Sequence, residues 1–105
     1  MNDGTICAAL QGTGMPVAYD HFAEGEAPEP PYVVYRNPGS DNFKADGRVY
    51  HKVDELDVEL YTDRKDTEAE AKVEAVLDGM ELFYDKAETF ISSEKLYMVR
   101  YKTEV

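Results

Sequence analysis

Between Leu56 and Met80 the hydrophobic period of this chain changes from two residues to about 3.6, which fixes the kind of domain it can build. Leu56, Val58 and Leu60 alternate with Asp57, Glu59 and Tyr61, the pattern of a half-buried strand with its apolar face inward and its polar face in water. A few residues later Ala69, Val73, Val76, Leu77 and Met80 fall on one stripe of a helix. Thr67 and Glu70 match a capping box at its start, and Gly79 sits where a left-handed cap would end it. A strand that turns directly into an amphipathic helix must bury both apolar surfaces against each other or against neighbours.

The flanking segments supply those neighbours. Thr5 to Leu10 reads as a short helix stopped by Gly12 and Gly14, and Val17 to Tyr19 as a brief strand. Residues 21–31 combine Glu24, Glu26 and Glu29 with Pro28, Pro30 and Pro31, an extended acidic connection. Too little chain precedes it to form a separate core, so residues 1–105 are expected to be one domain with this loop inside it. Tyr32-Val33-Val34-Tyr35 fits a strand buried on both faces. Asn37 to Asn42 forms a turn cluster, and Ala45-Asp46-Gly47 a second turn leading into a segment from Arg48 to Lys52. Leu82 to Ile91 and Leu96 to Tyr101 close the chain as two strands around a turn at Ser92-Ser93-Glu94. The expected fold class is therefore α+β: an antiparallel or mixed sheet of four to five strands with two helices packed on one face.

Charge narrows the function. Asp and Glu number 22 against 11 Lys and Arg, a formal net charge of −11, and the first basic residue is Arg36. Clustered cations are what hold nucleic-acid phosphates and anionic membranes, so sequence-specific nucleic-acid binding and membrane association are not expected. Cys7 is the single cysteine, which leaves no internal disulfide, and its apolar helical surroundings read as those of a buried small hydrophobe. No apolar run approaches the ~20 residues of a membrane span, and no secretion signal opens the chain, which points to a soluble cytoplasmic protein.

Catalytic and metal chemistry find no foothold. Cys7, His21 and His51 lack metal-site spacing, and a calcium loop opening at Asp41 fails because Phe43 and Ala45 stand where oxygen ligands belong. Asp57 with Glu59, and the Glu70-Ala71-Lys72 triplet, read as parts of a solvated acidic face. The expectation is a protein that is not an enzyme and takes no cofactor. Tyrosine is abundant on the expected strands, where it either covers the sheet or supplies contact area to a partner. Leu96 to Tyr101 is apolar on both strand faces, so a second copy of the chain is expected to cover one of them.

Several runs point to a family. They are Pro31-Tyr32-Val33-Val34-Tyr35, Ser40-Asp41-Asn42-Phe43 with Ala45-Asp46, and Val49-Tyr50. Val58-Glu59-Leu60-Tyr61-Thr62-Asp63-Arg64-Lys65-Asp66 and Glu94-Lys95-Leu96-Tyr97 belong with them. Together the chain over residues 15–101 resembles small prophage proteins of Gram-positive bacteria, in the tail-completion or tail-terminator group of long-tailed phages. The resemblance implies a non-enzymatic subunit that assembles into a homo-oligomeric ring, typically a hexamer, in contact with tail-tube and head-connector proteins. It implies a place in the virion, and in the host cytoplasm during assembly.

On that resemblance the ring contacts fall on Asp41, Asn42, Phe43, Asp63, Arg64 and Lys65, with Tyr97 and Tyr101 on the last strand. For Phe43 the alternative is a ring folded back into its own core. A head–tail connector or minor capsid protein is the neighbouring possibility. A different class altogether is an acidic regulatory or DNA-mimic protein that occupies a basic partner.

Overall fold

The computed structural model describes residues 3–40, 43–45, 48–51 and 53–105, with the backbone alone for residues 3, 43–45 and 48–51. Helix α1 (Asp3–Gln11) leads through β1 (Val17–Tyr19), β2 (Tyr32–Arg36), β3 (Phe43–Ala45) and β4 (Arg48–His51) to β5 (Glu55–Thr62). Helix α2 (Thr67–Gly79) follows, and β6 (Asp85–Ile91) and β7 (Leu96–Glu104) complete the chain. The main sheet has five strands in the order β1-β2-β5-β7-β6, while β3 and β4 pair as a separate antiparallel ladder. The fold is α+β with a mixed, mostly antiparallel sheet.

The parallel pairing of β1 with β2 explains the acidic proline-rich loop. Parallel neighbours cannot be joined by a tight turn and need a crossover of about a dozen residues. Residues 20–31 supply that length. Helix α1 ends as the glycines require: Gly12 N–H bonds Ala9 O, and Gly14 takes a positive φ of 82°.

The buried residues form one cluster. Ile6 and Leu10 of α1 and Ala69, Val73 and Leu77 of α2 join Val33, Tyr35, Leu56, Val58, Leu60, Val99 and Tyr101 of the sheet. Register places all of those sheet residues on one face, which we call the first face. Val34, Asp57, Glu59, Met98 and Arg100 lie on the second face, outside that cluster. Cys7 is half-buried and packs against the core.

Three local expectations are corrected. The polar side of β5 does not face water: Asp57 and Glu59 are only 4% and 6% exposed. Because β5 lies between β2 and β7, long side chains from both neighbours fold over it. The cap of α2 is Asp66 rather than Thr67, its Oδ1 accepting from Ala69 N–H at 3.0 Å. Glu70 therefore does not return to the helix start; it pairs with lysines, and its burial also removes it from any solvated acidic face. At the other end Gly79 is still helical, and the left-handed residue is Glu81, at φ 58°. The turn expected at residues 45–47 falls between β3 and β4, and its Asp46 and Gly47 lie outside the described residues.

Candidate interaction site

On the second face, Glu59 is the centre of a closed polar group. Arg100 donates to its Oε2 from Nε at 3.0 Å and from Nη2 at 2.8 Å, and Tyr61 O–H donates to Oε1 at 3.0 Å. Burial, then the neighbouring Glu59 charge, pushes the Tyr61 phenol well above its ordinary pKa, so it stays a donor. The Tyr61 ring stacks on Tyr32 at 5.1 Å, and Phe22 from the acidic loop meets Tyr32 edge-on at 5.3 Å. The crossover loop thus covers part of this face with an aromatic side chain.

Toward the start of β5 the same face becomes an open groove of about 540 Å³. Glu55 and Glu104 stand directly opposite each other across the ladder, and the next row is Asp57, Lys102 and Asp85. Glu81 and Phe83 form the rim. Like charges placed opposite each other on one sheet face are destabilising. The Asp57 side chain is 5% exposed, and among the described residues its charged contact is Arg36 Nε at 3.8 Å. That separation is too long for a hydrogen bond, and among the described residues the buried Arg36 Nε has no hydrogen-bond partner. Phe83 is 97% exposed although its backbone is fixed, because Thr103 O–H donates to its carbonyl.

On the first face a second network ties α2 to the sheet margin. Lys65 reaches Glu70 and Glu88, each at 2.8 Å. Lys86 reaches Glu70 at 2.7 Å and Glu74 at 2.8 Å, and Tyr101 O–H donates to Glu74 at 2.7 Å. Burial raises the carboxyl pKa of Glu70, but hydrogen bonds from Lys65 and Lys86 outweigh it and hold the group below its ordinary value. Burial likewise opposes ionisation of Glu74, and the bonds from Lys86 and Tyr101 reverse the balance.

The residues expected to make contacts are scattered. Asp63, Arg64 and Lys65 are exposed in the link between β5 and α2, and Lys65 is already engaged with two glutamates. Tyr97 is half-buried, its ring 4.9 Å from Phe90, and register sets it beside Thr62 at the same end of the sheet. Tyr101 is corrected: it is fully buried, so its ring is a core element and its hydroxyl an anchor for Glu74. Asp41 and Asn42 lie outside the described residues, and Phe43 contributes only its place in β3. The Glu70-Ala71-Lys72 triplet divides, with Glu70 inward and Lys72 exposed.

The groove was not anticipated. Glu55 and Glu104 become neighbours only through the β5–β7 register, although most of the second half of the chain lies between them in sequence. Phe83 carried the one local signal, an apolar residue between Leu82 and Tyr84 that an alternating strand would point away from both. Among the described residues no cluster of His, Cys, Asp and Glu could hold a metal ion, and no helix is long and apolar enough to cross a membrane. No protein-family model and no curated protein sequence matches the chain.

Proposed function

We propose that the chain is a non-enzymatic structural subunit of a phage or prophage, forming a tail-terminator-like ring that joins the tail tube to the head. The observation that carries this reading is the margin of the sheet. β6 is a terminal strand exposed from Asp85 to Phe90, and an unpaired strand edge is a template for another chain. The opposite margin is the short β1, a different surface. Contacts between unlike surfaces are head-to-tail, and head-to-tail association closes into rings when the rotation permits. Phe90, half exposed beside Tyr97, adds apolar area next to the free edge of β6.

The ring number of six and the position between tail and head rest on the family resemblance, and virion localisation follows from them. A head–tail connector role uses the same surfaces. The test is to mix the purified chain with tail tubes from the phage that encodes it and image the ends by negative-stain electron microscopy. A ring of density at one end is expected; tubes that stay bare at saturating protein would overturn the proposal.

A further inference from the structure

We propose that the groove on the second face, between Glu55, Asp57, Asp85 and Glu104 with Phe83 at its rim, binds a cationic segment of a partner protein. The segment fitted to it is extended, alternating Lys or Arg with apolar side chains.

The first support is an electrostatic mismatch that the chain leaves standing. Glu55 and Glu104 face each other directly, and Asp57 and Asp85 flank Lys102 in the adjoining row. Among the described residues lining the groove, Lys102 is the one cation, against five carboxylates that include Glu81. Elsewhere the buried acids are neutralised within the chain, Glu59 by Arg100 and Glu70 by Lys65 and Lys86, whereas Glu81, Asp85 and Glu104 of the groove are exposed and open to an incoming cation. A basic segment would supply here what the fold supplies there.

The second support is the position of Asp57 in the groove. The Asp57 side chain is nineteen-twentieths buried and lines the groove, and Arg36 Nε stays 3.8 Å away from it. The Arg36 ion pair is too long to be a hydrogen bond, so the Asp57 charge adds to the negative field that an incoming ammonium or guanidinium meets at the groove. The third is Phe83. An aromatic ring left almost wholly in water offers apolar area for a partner to bury, which is the property of an interface anchor. The groove at about 540 Å³ admits several side chains rather than a single ion.

Fluorescence anisotropy with a labelled peptide of alternating lysine and leucine tests this on the full chain. An alternating glutamate and leucine peptide serves as the negative probe. Glu55→Gln with Glu104→Gln should weaken binding about tenfold, and Phe83→Ser by a similar factor. Glu24→Gln with Glu26→Gln removes the same charge from the exposed loop and should change affinity less than about twofold. The groove pair should also raise the urea midpoint, since it relieves a like-charge opposition, so weaker binding cannot be ascribed to unfolding. Absence of saturable binding by the wild type, or an equal loss in the loop variant, would overturn the proposal. The experiment scores one chain and one peptide, so its outcome is independent of whether rings form on tail tubes.

Discussion

Arg100 and Glu59 show how a buried carboxylate is held on the second face of the sheet. The guanidinium lies across β5 and gives two hydrogen bonds to one carboxylate oxygen, while Tyr61 occupies the other. Removing the cation strands a buried carboxylate with a single neutral donor. Arg100→Ala should therefore cost about 2–3 kcal/mol, measured as the fall in unfolding free energy in urea. Replacing both partners by apolar residues, Arg100→Met with Glu59→Leu, should recover most of that loss, because no desolvated charge is then left unpaired. A double variant as unstable as Arg100→Ala would show that the pair acts through something other than desolvation. The alternation at residues 56–61 revealed the strand and its inward face, but not this: period two says that Asp57 and Glu59 share a face, and only the neighbouring strands say what covers it.

At the scale of elements, α2 is fastened to β6 by charge as well as by its apolar stripe. Glu70 is buried at 4% exposure between Lys65 and Lys86, and its carboxyl pKa is held below the ordinary value of about 4.3. A depressed folded pKa means that the stabilisation is complete above that ordinary value and disappears as pH falls through the folded one. Glu70→Gln should cost about 1–3 kcal/mol at pH 7, and the gap from wild type should narrow below about pH 4, read from urea curves across that range. A gap that stays constant down to pH 3 would mean the carboxylate's charge contributes nothing. The helix itself was legible from its stripe, since Ala69, Val73 and Leu77 are its buried apolar residues. Its first turn was not, because Asp66 and Thr67 are both competent caps and adjacent, and the choice between them depends on where the backbone leaves the turn after β5. The parallel β1–β2 pair was also hidden: the acidic loop had the length of a crossover, but length alone does not say which strands it joins.

At the scale of the whole molecule, a formal charge of −11 acts with opposite sign on the two proposed contacts. Subunits that meet along sheet margins carry like charge and repel, whereas a basic segment entering the groove is drawn in. Raising NaCl from 0.1 to 1 M shortens the screening length from about 10 Å to about 3 Å, which weakens both forces. Self-association should consequently strengthen with salt, seen as growth in the weight-average mass by light scattering at fixed protein concentration. Peptide anisotropy in the same two buffers should fall. If mass falls with salt as well, the copies are held together by complementary charge, and the free edge of β6 is not the surface that joins them. If the peptide signal survives 1 M NaCl, its binding is apolar and centred on Phe83, leaving Glu55 and Glu104 as bystanders. The two signs separate an edge that pairs despite the charge from a groove that works because of it.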